Sequence, residues 1–316
     1  MRRITAIMVV LAGICSLALD GLTLRVQASD YLVVDLSAGS SASIYPVSSL
    51  TAMPAGGWTD EYKTTKLVLR RVLPGTFTMG SPTDEIGHGP DETQHQVTLT
   101  QPYYVGVFEI TQRQWERVMG TWPSYFNNIT YRDSRPVEHV NYGEIRGSIV
   151  GTGWPADGKV DADSFMGRLR ARTGRSFDLP TESQWEYSCR AGTATALNSG
   201  YNLTNTSSDA RMSEVGRYWY NGPNTYGYGH SVDTSTATAK AGSYLPNAWG
   251  LYDMHGNIWE WCLDWYPGYE GSYRVFRGGG WCHDARNCRS ADRLYTDPSD
   301  RLLHGGFRAV VPPPGQ

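Results

Sequence analysis

Leu179-Pro-Thr-Glu-Ser-Gln-Trp-Glu-Tyr-Ser-Cys-Arg-Ala-Gly192 is the most informative local stretch of this chain. Thr181 followed three positions on by Gln184 forms a capping box, in which hydroxyl and amide each satisfy a backbone N–H left open by the first helical turn. Trp185 and Cys189 lie four apart on one helical face, and Gly192 follows where glycine ends a helix. The stretch predicts a short helix that buries Trp185 and points Cys189 at the core. Two more short helices are legible, one opening at Thr111 with Gln114 as its box partner and one over about 163–173. Strand-like runs occur at Tyr31-Leu-Val-Val34 and Leu67-Val-Leu-Arg-Arg-Val72, the second followed by a Pro74-Gly75 turn signal. From Ala194 to Tyr244 the chain is rich in Ser, Thr, Asn, Gly and Tyr. That predicts long ordered loops, and loops of this length need something to hold them, such as an ion. No repeat of fixed period is present.

Composition points the same way. The 316 residues include 35 Gly, 11 Trp and 20 Tyr, which suits a turn-rich fold with aromatic packing and little long helix. The net charge of -3, with 19% charged residues of both signs scattered along the chain, offers no basic stripe for a phosphate backbone. Nucleic acid is not an expected partner.

Residues 1–28 read as a signal peptide. Arg2 and Arg3 precede an apolar run from Ile4 to Leu19, and Val26-Gln27-Ala28 resembles an A-x-A cleavage site. The apolar run is shorter than the roughly 20 residues of a membrane span, so the mature chain is expected without one, as a secreted, periplasmic or cell-surface monomer. Residues 29–64 read as an N-terminal arm and 65–313 as the main domain. The mature chain holds Cys189, Cys262, Cys282 and Cys288. An even count in an exported chain favours disulfides, with three pairings open, and no C-x-x-C pair supports a zinc or thioredoxin-type motif.

Seven further strings follow in order: Phe77-Thr-Met-Gly80, Glu109-Ile-Thr-Gln112, Arg135-Pro-Val137, the Leu179–Tyr187 helix, Asn247-Ala-Trp-Gly-Leu-Tyr-Asp-Met-His-Gly-Asn-Ile-Trp-Glu-Trp261, Arg274-Val-Phe-Arg-Gly-Gly279 and Gly306-Phe-Arg308. Together, over about Leu73 to Val310, they resemble the formylglycine-generating (sulfatase-modifying factor) family. The resemblance implies an α+β fold: a single compact domain of C-type-lectin-like kind, with low regular secondary structure, short helices and small antiparallel sheets. It also implies an oxygen-dependent oxidase that converts a cysteine of a polypeptide substrate to formylglycine at a copper(I) ion held by two cysteines. Soft thiolates select that metal.

The family's pair lies in Gly-Gly-Ser-Tyr-x-Cys, with a second Cys after four residues. Here Gly278-Gly-Gly-Trp-Cys-His-Asp-Ala-Arg-Asn-Cys288 has Gly280 for the serine and five residues between the cysteines. Aligned on the glycines, His283 and Cys288 fall on the pair. Aligned on Arg289 and Arg293, Gly280 and Ala285 do. Cys282 and Cys288 are the nominal catalytic ligands, and a turn at 283–286 is required, because a straight strand would separate them by about 20 Å. The resemblance further implies a structural calcium site, with Asp253 and Glu260 binding through side chains and Gly256 and Ile258 through carbonyls. It implies a Cys189–Cys288 bridge, leaving Cys262–Cys282 as a second.

His255, His283 and His304 read as hydrogen-bonded structural residues and not as an iron site. Asp84-Glu85 and Asp91-Glu92 read as a solvated rim, and no G-x-S-x-G elbow is present. A second function stands beside the oxidase: a non-catalytic module that presents the Cys282–His304 surface to a protein or glycan ligand, through Trp281, His283, Asp284, Leu294, Tyr295, Asp297, Leu302 and Leu303. Amino-terminal sequencing of the exported protein should begin at Ser29; an intact Met1 in a membrane fraction would overturn the signal-peptide reading.

Overall fold

Side chains open the helices of this protein. In a computed structural model describing residues 29–147, 160–222, 233 and 235–313, Thr111 and Thr181 form the expected capping boxes with Gln114 and Gln184, and Asn141 forms a third with Glu144. The expected signal peptide lies outside the described residues. The chain runs through β1 (Tyr31–Asp35), β2 (Val47–Leu50), β3 (Lys66–Val72), β4 (Gly75–Met79), β5 (His95–Leu99) and β6 (Tyr103–Gly106). Then come α1 (Gln112–Met119), α2 (Tyr142–Ile145), α3 (Phe165–Thr173), α4 (Glu182–Arg190) and α5 (Ala210–Val215). The last strands are β7 (Trp259–Trp265), β8 (Arg274–Arg277), β9 (Arg293–Thr296), β10 (Gly305–Gly306) and β11 (Val310–Val311). No helix among the described residues is long and apolar enough to cross a membrane.

All three helices read from the sequence form. At the end of α4, Ala191 and not Gly192 takes the left-handed cap, at φ 46°, and Gly192 follows at φ 98°. That conformation costs an alanine about 1–2 kcal/mol, and the buried side chains of α4 hold it in place. The short α2 and α5 carried too little periodicity to be read from sequence. Asn141 and Asp209 cap them.

A five-stranded antiparallel sheet runs β11-β6-β3-β1-β2, and a second sheet runs β10-β7-β8-β9, with β10 parallel to β7. β4 and β5 form a separate hairpin. The segment 29–64, expected as an arm, belongs to the main sheet: β1 pairs along its length with β3, Leu32 opposite Leu69 and Val34 opposite Leu67. Those four residues alternate onto the core face, where they meet Trp115, Phe165, Trp261 and Phe307.

One ion pair joins the two sheets. Arg308 stands just before β11 and Glu260 in β7, both 0% exposed. Arg308 donates to both Glu260 oxygens, Nε at 3.0 and 2.7 Å and Nη2 at 2.6 Å. Its remaining N–H groups reach the carbonyls of Gly106 (2.9 Å), at the end of β6, and Tyr252 (3.1 Å). Trp185 of α4 donates its indole N–H to Glu260 Oε2 at 2.8 Å. Removing one partner of a buried pair strands the other charge. Arg308→Met is expected to lower urea-denaturation stability by about 3–5 kcal/mol, while the double variant with Glu260→Met loses much less. A single variant no less stable than the double would refute this role.

Candidate functional site

The candidate ligand groove lies where the loop after β8 meets the turn before β10. Trp281 donates its indole N–H to the Leu303 carbonyl at 3.0 Å, and Trp259 N–H donates to the His304 carbonyl at 2.6 Å. These bonds hold the 281–283 and 301–304 segments side by side around a cavity of about 390 Å³ lined by Trp281, Cys282, His283, Leu302, Leu303 and His304. The rings of His283 and His304 lie 4.9 Å apart. Burial pulls His283 down to about 4 and His304 down to about 3, the latter helped by repulsion from His283. Both are neutral at pH 7, so the groove offers aromatic and aliphatic walls with uncharged imidazole edges.

Of the surface residues read from sequence, Trp281, His283, Leu302 and Leu303 meet in this groove and the others disperse. Leu294 packs against the main core. Tyr295 joins an aromatic cluster, stacked on Tyr269 at 5.3 Å. Asp297 bends back to accept from the backbone N–H and hydroxyl of Ser299, at 2.8 and 2.7 Å. Asp284 lies beside Arg286 at 4.0 Å.

The required turn is present, as a 3-10 turn over Ala285–Cys288, and it leaves the two thiols near enough to interact electrostatically but packed in different clusters. Cys282 packs on the Phe126–Ala237–Trp281 cluster at the groove, whereas Cys288 is buried in a different one, among Ala196, Leu197, Met212, Val215 and Tyr218. Burial pushes the Cys282 thiol up to about 12 and the Cys288 thiol well above its ordinary value. A copper(I) site needs two converging thiolates; here the two thiols are free, Cys282 at the groove and Cys288 enclosed by apolar side chains. Among the described residues no group of three or more His, Cys, Asp or Glu side chains is arranged to hold a metal ion.

The expected disulfides are not formed, and Cys189, Cys262, Cys282 and Cys288 are all free thiols. Cys189 points at the Met254 carbonyl and the Ser290 hydroxyl, each at 3.6 Å. Cys262 is buried in the cluster around Trp185 and Val275, away from the groove that holds Cys282.

The calcium ligand set also fails to fit. Glu260 is saturated by Arg308 and Trp185, as described above. Asp253 accepts from Gly242 N–H at 2.6 Å through Oδ2, its Oδ1 has no partner, and burial pushes the carboxyl up to about 6. The intervening turn is closed by protein: Gly256 N–H donates to the Gly278 carbonyl and Asn257 N–H to the Arg217 carbonyl, both at 2.7 Å. Gly256 sits at φ 77°, and a Cβ there would lie 1.9 Å from the Arg217 oxygen. Ile258 donates its N–H to Glu109 at 3.3 Å. The turn is thus pinned through its N–H groups, and of the expected ligands Glu260 is taken by Arg308.

His255 is structural, as read: its Nε2 accepts from Asn198 N–H at 3.0 Å and its Nδ1 donates to the Cys288 carbonyl at 2.6 Å. Of the acidic rim, Asp84 and Asp91 are exposed as expected, but the two glutamates are not. Glu85 and Glu92 are buried on Arg289, at 2.7 and 2.6 Å, a pairing that no local signal in a Gly- and Pro-containing loop announced.

Comparison with known proteins agrees with this architecture. Residues 59–312 match the sulfatase-modifying factor enzyme 1-like domain. The formylglycine-generating enzyme of Streptomyces coelicolor is 36% identical over 203 residues, which cover 58% of this chain and 55% of that enzyme. The inactive C-alpha-formylglycine-generating enzyme 2 of Bos taurus is 23% identical over 309 residues, covering 87% of this chain and 99% of that protein. The structure of PvdO from Pseudomonas aeruginosa superposes with a TM-score of 0.60 at 24% identity, over 78% of this chain and 94% of PvdO. From its ordered strings to its two sheets, this chain belongs to the sulfatase-modifying factor enzyme 1-like family, the family of the formylglycine-generating enzymes.

Proposed function

We propose that this protein is a non-catalytic member of its family that binds a polypeptide segment in the groove between Trp281–His283 and Arg301–His304. The observation that carries the reading is the enclosure of Cys288 in an apolar cluster, separate from the groove wall in which Cys282 lies. An open groove of about 390 Å³ with apolar walls remains beside Cys282. Such a groove accepts an apolar side chain of an extended segment, and the Leu302 and Leu303 backbone flanking it lies on an irregular stretch held by the frame. The wide alignment with an inactive relative supports the same reading. The oxidase activity implied by the family's other members is the alternative, and it depends on Cys282 and Cys288 converging on copper(I) as a thiolate pair.

Peptides selected on the protein from a displayed random library are expected to lose at least about tenfold in affinity for Leu303→Glu at unchanged melting temperature. Cys282→Ser is expected to bind them as the parent does. The same experiment extended to cysteine-bearing peptides with copper(I) and oxygen should return them unoxidised. A peptide aldehyde whose formation needs Cys282 would establish the oxidase instead, and a library without binders would remove the groove.

Proton linkage gives a further expectation. His255, His283 and His304 are depressed to about 4, 4 and 3 in the folded chain, against about 6.5 when unfolded. Below about pH 6.5 the unfolded state therefore takes up more protons, and the stability these neutral rings contribute is lost progressively as pH falls toward the folded values. Buried carboxyls raised to about 6–8 (Asp253, Asp264, Asp292 and Glu138) act in the opposite direction, but alike in the parent and in His283→Asn. Between about pH 6.5 and about pH 4 the urea midpoint of the parent is therefore expected to fall relative to that of His283→Asn; equal slopes would contradict the assignment.

A further inference from the structure

Four fully buried arginines of this protein, Arg146, Arg277, Arg289 and Arg308, each face a carboxylate, and a fifth, Arg135, places its N–H groups on the Thr236 and Thr238 carbonyls and the Thr238 hydroxyl. Arg274, 1% exposed, faces none among the described residues. It stands directly across from Trp265 in the β7–β8 register. Its guanidinium carbon lies 3.4 Å from the centre of the Trp265 ring and 4.5 Å from that of Tyr142. Nη1 donates to the Leu263 carbonyl at 2.5 Å, and Nε has no partner. The nearby acids are committed elsewhere: Asp178 to Arg146 and Arg170, and Asp264 to the Glu182 N–H. The hydroxyl of Tyr142 is also buried and without a partner.

Arg274 and Tyr142 both line a cavity of about 650 Å³, the volume of a site for a small organic molecule, together with Trp265, Tyr273, Ser272 and Ser299. A guanidinium carries its charge at any ordinary pH, and burying it without a counter-charge is costly. Two aromatic faces offset part of that cost. The Arg274 Nε is left without a partner, and a guanidinium edge matches a carboxylate with two parallel N–H···O bonds. Asp297 also lines the cavity, and the two hydrogen bonds that its Oδ1 accepts from Ser299 keep it ionised, so an anion is favoured at the Arg274 end only.

We propose that this cavity is a binding site for a small organic carboxylate, whose charged group meets the Arg274 edge and the Tyr142 hydroxyl and whose apolar body lies against Trp265 and Tyr273. The site is separate from the 281–304 groove and does not depend on its function.

Tryptophan fluorescence and calorimetry of the full chain, titrated with benzoate, benzamide and inorganic phosphate, test it. Benzoate is expected to bind saturably, and benzamide, the same shape without the charge, at least about tenfold more weakly. Phosphate should not displace benzoate at equal concentration. Ser299→Trp, which changes an exposed side chain at the cavity, should abolish binding at unchanged melting temperature, and Arg274→Lys should weaken it at least about tenfold. If Arg274→Lys fails to fold, the Ser299→Trp result decides. Equal affinity for benzoate and benzamide, preference for phosphate, no saturation by about 20 mM, or binding unaffected by Ser299→Trp would each overturn the proposal.

Discussion

The Arg308–Glu260 pair is the constraint on which the rest of this molecule depends. It is a fully buried charge pair whose guanidinium also serves two carbonyls and whose carboxylate also serves an indole. Such a pair contributes little net stability over an apolar substitute, but it tolerates almost no displacement of its partners. Because those partners sit in β7, at the end of β6, before β11 and in α4, one side chain sets how the two sheets and the central helix meet. The same geometry takes Glu260 out of the expected calcium ligand set, because arginine already occupies both its oxygens.

A fold with so little regular structure leaves many backbone groups without ladder partners, and each one buried must find another. Arginine does much of this here. Arg135 donates to the carbonyls of Thr236 and Thr238, both at 2.8 Å, Arg277 reaches the carbonyls of Ser290 and Ala291 while pairing with Glu186, and Arg190 spans Glu186 and the Gly80 carbonyl. The loops between α4 and β7, which on sequence grounds needed an ion, are held in this way and by the Asn198–His255 bond. Loops fastened to a buried frame can present a groove without reordering on binding.

The family relation and the chemistry separate at the cysteines. Membership rests on the frame: capping boxes, buried arginines and the Asn247–Trp261 turn. Catalysis of the family's kind would rest on two sulfurs meeting; here Cys282 lies in the groove wall and Cys288, across the Ala285–Cys288 turn, in a closed apolar cluster. A desolvated thiol without a cationic neighbour holds its proton. Fold and reactivity are separate properties of the same scaffold.

Some features are properties of short windows of sequence, and the amino-acid order alone determined them. The boxes at Thr111 and Thr181, the helix ending at Thr173 and the strand at Leu67–Val72 depend on contacts three or four residues away or on alternation along a strand, so local chemistry suffices. Only the tertiary structure decided the others, because their partners are remote in sequence. β1 became part of the main sheet by pairing with β3, Glu85 and Glu92 left the surface for Arg289, nearly two hundred residues on, and Arg274 was left in a cavity without a carboxylate. The cysteines fall in the same class: their spacing was legible, but the direction of each sulfur was set by a turn and by the clusters on either side of it.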